Sequence, residues 1–286
     1  MTGEPASHPS APHPNDPQPG TLYIVATPIG NLEDITLRAL RILRGVSVIA
    51  AEDTRTTHVL LRAHGISTPC ISCYSANERR RIPELIDRME RGESVALVSD
   101  AGTPGVSDPA ALVVAAAVTE GITVVPVPGA SAALAALVAS GLRIDRFHFE
   151  GFLPIKKRRQ TRLRTLATEH RTIVLYESVH RIARTLADLE THLGDRRIAV
   201  CRELTKKFEE ILRGSISDMR AHFQTHTPRG EFVLVIAGAD DAGEAAIDAT
   251  ETIDATETID ATETAGETHD REGNDEENGP VAMPVT

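Results

Sequence analysis

The chain has 286 residues, a formal charge of −11, 41% hydrophobic and 3% aromatic residues and no Trp, so its core must be aliphatic and its length exceeds a typical single domain. No apolar run approaches the ~20 residues of a membrane helix, and the polar, Pro-rich start does not read as a secretory signal, so a cytoplasmic protein without a membrane partner is expected. The three cysteines, Cys70, Cys73 and Cys201, exclude a disulfide scaffold, and with no His/Cys/Asp/Glu group at metal-ligand spacing, no metal is expected.

In chain order, residues 1–19 form a Pro-rich segment without apolar periodicity and read as a disordered tail. From residue 20 onward, strand-like runs alternate with helical ones, the pattern of a parallel α/β sheet. Runs at 22–26, 46–51, 95–98 and 123–127 read as strands. Leu37, Leu40, Ile42 and Leu43 form one helical face, and Ala111–Val118 and Ala130–Ser140 read as further helices. Cys70-Ile-Ser-Cys73 lacks a second Cys/His pair and reads as a short strand. After Leu142-Arg-Ile-Asp-Arg146 a second set begins, with strands at 147–151, 172–176, 198–201, 209–213 and 231–237 and helices at 158–168 and 181–193. Pairing of 209–213 with 231–237 would make this second sheet mixed. The expectation is therefore two α/β domains, 20–143 with a mainly parallel sheet and 144–239 with a mixed sheet, and a cofactor cleft between them.

Residues 240–286 carry three tandem Ile-Asp-Ala-Thr-Glu-Thr copies and 15 acidic residues against one Arg, and read as an acidic low-complexity tail. The remaining chain then holds 26 acidic and 29 basic residues. A mildly basic body suits an RNA partner, which the tail would repel.

Three of the amino-terminal strands run into Pro/Gly loops: Thr27-Pro28-Ile29-Gly30-Asn31, Ser99-Asp100-Ala101-Gly102-Thr103-Pro104-Gly105-Val106-Ser107-Asp108-Pro109 and Pro128-Gly129-Ala130-Ser131-Ala132. Open α/β sheets bind ligands outside the carboxyl ends of their strands. Gly102 and Gly105 allow close backbone approach, and Asp100 offers an acceptor for ribose hydroxyls or an ammonium. The plain alternative is a tight turn, with Asp108 capping the next helix and Pro109 opening it. No phosphate-loop motif and no Gly-x-Gly-x-x-Gly follows a strand, which removes the usual anchors of nucleotide and nicotinamide readings.

These loops, together with Ala51-Glu-Asp-Thr-Arg55, Gly151-Phe-Leu-Pro154, Tyr176-Glu-Ser-Val-His-Arg181, Cys201-Arg-Glu-Leu-Thr-Lys206 and Gly230-Glu-Phe-Val-Leu234, resemble the tetrapyrrole-methylase-like superfamily of S-adenosylmethionine-dependent methyltransferases. Within it they are similar to the bacterial enzymes that methylate a cytidine 2′-hydroxyl of 16S ribosomal RNA. The resemblance spans about 20–238 and implies a homodimer. For the cofactor S-adenosylmethionine it implies contacts from Pro28, Asp100, Ala101, Gly102, Ser131 and Ala132, with Tyr176 and Leu204 near the adenosine. Many relatives read Gly-Asp-Pro where Ser-Asp-Ala-Gly-Thr-Pro stands here, which shifts individual contacts by a residue.

A ribose hydroxyl must lose its proton as the methyl arrives, and a general base contributes about 10²–10⁴-fold. The candidates are Glu177, His180, Glu203, Lys206 and Asp53. Glu177 is favoured because it ends the apolar strand Ile173-Val-Leu175; its alternative role is a helix cap. Glu203 and Lys206 are the other catalytic candidates, with mutual pairing as their alternative. Arg55 reads as a substrate-backbone contact or an ion pair with Asp53. Lys156, Lys157, Arg158 and Arg159, with Arg162 and Arg164 behind them, suit phosphate contacts; the alternative is a solvated helix face. No aromatic stacking platform is evident, so recognition would rest on the RNA backbone and shape, with a partly assembled small-subunit particle as the expected substrate. Two further readings stay open. One is a tetrapyrrole or diphthine-type methyltransferase of the same superfamily, and the other is a non-catalytic RNA-binding assembly factor.

Overall fold

The structure, a computed structural model, describes residues 16–241 except Pro109. The amino-terminal tail up to residue 15, the acidic tail from residue 242 and the expected first helical position Pro109 lie outside the described residues.

The first half is built on a five-stranded sheet of β1 (Thr21–Val25), β2 (Val48–Ala51), β3 (Cys70–Ser72), β4 (Val95–Val98) and β5 (Thr123–Val127), in the order β3-β2-β4-β1-β5. Every pairing in it is parallel. The unbroken apolar runs of β2 and β4 are buried at every residue, as a sheet covered on both faces requires. Alternate side chains point to opposite faces. Tyr23, Val25, Ile49, Ala51, Ala96 and Val98 pack with α1 (Leu37–Gly45) and α2 (Thr54–Ala63). Leu22, Val48, Ala50, Val95 and Leu97 pack with α3 (Glu78–Glu90) and α4 (Ala111–Thr119).

The second sheet contains β6 (Phe147–Phe152), β7 (Thr172–Ser178), β8 (Arg197–Arg202), β9 (Glu210–Ser215) and β10 (Glu231–Ile236), in the order β6-β7-β10-β8-β9. Only β6 and β7 pair in parallel, so the sheet is mixed. Its strands 209–213 and 231–237 are not neighbours, because β8 lies between them and pairs with both. One face carries Ile173, Leu175, Ile198, Val200, Leu234 and Ile236 against α6 (Arg159–Ala167), α7 (Ile182–Leu193) and α8 (Ile216–Thr225). The opposite face, with Val174, Ala199, Cys201, Val233 and Val235, receives α5 (Ala132–Ala139) through Ala133, Ala136 and Leu137. Helix α5 thus follows the first sheet in the chain but packs on the second. Both sheets belong to one compact unit.

Helices α4 and α5 are built almost entirely of Ala, Val and Leu. One side of each is packed, while Leu112, Val118, Leu134 and Val138 remain 42–70% exposed.

Candidate active site

A cavity of about 260 Å³ opens where the β4–α4 loop and the start of α5 meet the ends of β7, β8 and β10. The three Pro/Gly loops converge as their strand-end positions demand. Gly102, at φ +79°, exchanges two backbone hydrogen bonds with Thr27 (2.9 and 3.0 Å), which ties the second loop to the first. A Cβ on Gly129 would lie 2.9 Å from the Ala26 Cβ, so the third loop closes against β1 only with glycine there. Ser131 caps α5 by accepting from the Leu134 N–H at 3.5 Å, and it also lines the cavity.

Of the positions expected to hold the cofactor, Ala101, Gly102, Ser131, Ala132, Tyr176 and Leu204 all line this cavity. Pro28 and Asp100 are not among its lining residues, although the neighbouring Ile29 is. The Asp100 carboxylate turns instead to the end of β2, where it accepts from the Asp53 N–H at 3.1 Å. Burial there pushes its pKa above the usual carboxylate value. A hydrogen bond from the Ala133 N–H works against burial at the Tyr176 hydroxyl, whose pKa stays raised.

The catalytic candidates separate clearly. Strand alternation puts Tyr176 on the α5 face and Glu177 on the face toward α7. Glu177 borders the cavity, but its side chain is only 1% exposed. One carboxylate oxygen accepts from the Thr185 hydroxyl at 2.5 Å; the other accepts from the Ser178 N–H at 2.8 Å and pairs with Arg181 at 3.3 Å. The expectation of a free base at the strand end therefore meets a carboxylate already saturated inside a buried network. His180 is exposed, and Asp53 caps α2 while pairing with Arg55 at 2.6 Å. The Arg55 hydrogen bonds hold the Asp53 carboxyl at about 2.

Glu203 and Lys206 face the cavity as a clamp. Lys206 Nζ donates to Glu203 at 2.9 Å and to Glu231 at 2.9 Å, and Glu203 also accepts from the Glu231 N–H at 3.1 Å. Against some desolvation, the two carboxylates keep Lys206 above its ordinary pKa, and Lys206 in turn lowers that of Glu203. Lys206 is thus a fixed cation rather than a proton acceptor. The backbone of this turn is strained, with Glu203 at φ +50° and Thr205 at +66°, a feature concentrated at functional sites.

The basic run also divides. Lys156, Lys157 and Arg158 are exposed, with Arg158 at φ +70° leading into α6. Arg159 is not a surface residue: its side chain is 3% exposed, donates to Asp188 at 2.8 Å and Thr185 at 2.9 Å, and reaches the Pro154 carbonyl at 3.3 Å. The first helical turn carries Arg159 inward, so it cannot contact phosphate. Arg162 is taken by Glu150, whereas Arg164 is exposed. Arg55 forms the expected ion pair and keeps 90% of its side chain exposed, outside the cavity lining.

Several cavity residues carry no ligand signal in the sequence, among them Glu231, Phe152 and Asp108. Phe152, 52% exposed and edge-on to Tyr176 at 5.6 Å, supplies an aromatic surface at the opening, four residues before Lys156. Asp108 stands where a helix cap is expected, but α4 starts from Ala110 without a side-chain cap, and Asp108 instead lines the cavity.

The lining holds four carboxylates (Asp108, Glu177, Glu203, Glu231) and one lysine. That donor set, with apolar walls from Ile29, Leu204 and Tyr176, fits a ligand with a flat apolar part and a positive centre. It does not fit a polyphosphate. Among the described residues no group of three or more His, Cys, Asp or Glu could hold a metal, and no helix is long and apolar enough to cross a membrane.

Residues 21–220 match the family Tetrapyrrole (Corrin/Porphyrin) Methylases. A protein named ribosomal RNA small subunit methyltransferase I from Synechocystis sp. is 54% identical over 222 residues, covering 77% of this chain and 80% of its own. The protein of the same name from Xylella fastidiosa is 52% identical over 233 residues, covering 80% of this chain and 85% of its own. The fold is shared with the uroporphyrin-III C-methyltransferase of Thermus thermophilus solved with S-adenyl homocysteine, at TM-score 0.54 and 19% identity, covering 75% of this chain and 96% of that one.

Proposed function

The chain belongs to the tetrapyrrole (corrin/porphyrin) methylase family, and from that premise we propose that it transfers a methyl group from S-adenosylmethionine to the ribose 2′-hydroxyl of a cytidine in 16S ribosomal RNA. It is a methyltransferase that uses S-adenosylmethionine and acts on small-subunit ribosomal RNA. The carrying observation is the 54% identity over four-fifths of a relative bearing that activity in its name. The cytidine 2′-oxygen is the finer part of the proposal. Mapping 2′-O-methyl cytidines in ribosomal RNA with and without the gene tests it, and an unchanged map overturns it.

The fit of donor to cavity assigns roles. Ala101, Gly102, Ser131 and Ala132 would hold the methyl donor from one side, with Tyr176 and Leu204 enclosing its adenosine from the other. When bound, the donor supplies an activated sulfonium methyl, so the protein's task is positioning and charge control. The carboxylates of Glu203 and Glu231 give the cavity its negative character, and Lys206 fixes both in place. Glu177 locks the end of β7 to α7 through Thr185 and Arg181, which sets Tyr176 against α5.

The exposed Lys156, Lys157 and Arg158 follow the cavity residue Phe152 closely in the chain, which supports giving them the RNA backbone and Phe152 a base to stack on. Replacing these three basic residues with Ala is expected to raise the Michaelis constant for small-subunit particles and to flatten the salt dependence by about 0.7–0.9 per lost contact. Cofactor affinity should not change. Normal methylation with an unchanged salt slope would make the run a solvated helix start.

The expected homodimer finds its support in α4 and α5. Val118 (63% exposed) and Val138 (70%) leave an apolar surface that water does not favour, and a second copy of the chain would cover it. Val118→Asp with Val138→Asp is expected to shift sedimentation from dimer to monomer, and a monomeric parent protein would refute the assignment. A ribosomal substrate, either RNA or an assembling particle, would be met in the cytoplasm.

A further inference from the structure

Within the methyltransferase reading above, on which this rests, we infer that Asp108 is the catalytic proton acceptor for the ribose 2′-hydroxyl. The argument begins with the four carboxylates that line the cavity. Glu177 is saturated by Thr185, Ser178 and Arg181. Glu203 and Glu231 share Lys206 at 2.9 Å each. Asp108 lines the same cavity half-buried, and among the described residues no Lys, Arg or His lies within ion-pair distance of it. An acceptor that must take a proton from a weakly acidic hydroxyl works best when no cation stabilises its ionised form.

Its surroundings reinforce the choice. Asp100 on the same loop and Glu52 from the end of β2 lie close enough to repel its charge. Tyr176 faces it from β7, and Glu203, Lys206 and Glu231 lie elsewhere along the cavity wall. Burial pushes the Asp108 carboxyl above its usual range, the Ser99 hydroxyl partly offsets this, and Asp100 adds to the rise. Ser99 is 2% exposed and lies within 3.4 Å of the Ala101 and Gly102 carbonyls, so the group that tunes Asp108 is anchored in the loop that would hold the cofactor. The backbone of that loop is fixed in turn by the Thr27–Gly102 bridge.

The step balances with no further reactant. The ribose O–H bond breaks and its proton goes to an Asp108 carboxylate oxygen while the 2′-oxygen forms its bond to the methyl carbon. The carbon–sulfur bond of the methyl donor breaks with its electron pair left on sulfur, which converts the sulfonium to a neutral thioether. Asp108 then releases the proton to solvent.

The test uses the full chain and under-methylated small-subunit particles. Asp108→Asn keeps size and polarity but cannot accept the proton, so single-turnover methyl transfer at saturating cofactor should fall about 10²–10⁴-fold, a loss that more cofactor does not restore. Independently of turnover, carbon NMR of aspartate-labelled protein should show, beside the raised Asp100 carboxyl, a second carboxyl titrating above the ordinary ~3.9 that is absent in Asp108→Asn. The wild-type rate should climb with pH through that same ionisation, because the base works only when deprotonated. Ser99→Ala should move both the NMR titration and the rate limb upward together. Wild-type transfer with Asp108→Asn within threefold of it would overturn the inference alone, as would no raised carboxyl in the NMR difference. No transfer by the wild-type protein to any ribosomal acceptor would overturn the methyltransferase reading together with it.

Discussion

Replacing Arg159 with Ala is expected to destabilise the protein by about 3 kcal/mol and to leave its affinity for RNA unchanged. The side chain is 3% exposed and its guanidinium serves Asp188, Thr185 and the Pro154 carbonyl at once. Truncation takes a donor from all three partners, and removing one member of a buried pair typically costs 3–5 kcal/mol. The lower end applies because Asp188 keeps 21% of its side chain exposed and has Arg184 at 3.8 Å as a second partner. Thr185 also donates to Glu177, so the loss propagates to the end of β7 and to Tyr176. In thermal unfolding the midpoint should drop by roughly 6–12 °C. A variant that melts with the parent but binds particles more weakly would return Arg159 to the phosphate-contacting run.

Gly30→Ala should weaken S-adenosylmethionine binding at least tenfold with little loss of helical signal. A Cβ at Gly30 would sit 2.5 Å from Lys206 Cγ, 2.8 Å from Thr205 Oγ1 and 3.0 Å from the Leu204 carbonyl. The carbonyl belongs to a turn already strained at Glu203 and Thr205 and pinned to Asn31, whose N–H donates to Thr205 Oγ1 at 3.1 Å. The added methyl must therefore push the β8–β9 turn away from the β1 loop, which moves Leu204 and the Lys206 clamp outward from the cavity. Titration calorimetry reads the change directly. An affinity within twofold of the parent would mean that the turn yields without altering the pocket.

The three ligand loops were legible in the sequence because apolar strands ending in Pro/Gly segments have few other uses, and their order in the chain already suggested a common crevice. The division of labour inside the site was much less legible. Ile173-Val-Leu175 is apolar on both faces, so nothing in that run says which of Tyr176 and Glu177 turns to the cavity. That assignment needs α5 on one side of the sheet and α7 on the other. Similarly, the six bases from Lys156 to Arg164 look equivalent until the left-handed Arg158 sets the phase of α6 and carries Arg159 inward. Asp108 was hidden by a plausible local role, since an acid just before a helix usually reads as a cap. Helices α2, α3 and α8, with more polar faces, gave no comparable apolar signal, and the insertion of β8 between β9 and β10 is a long-range choice that local patterning does not encode.

The placement of α5 changes where the molecule would have to be cut to yield two self-sufficient pieces. A break near 143, where composition shifts, would leave Ala133, Ala136 and Leu137 on the first fragment and uncover the matching face of Val174, Ala199 and Val235 on the second. A break between Val127 and Ser131 would instead send the helix with the sheet it covers, and each fragment would keep its apolar faces matched. Modularity in this chain follows packing rather than the order of strands, and the joint between its modules is a four-residue loop whose last member, Ser131, reaches the cavity.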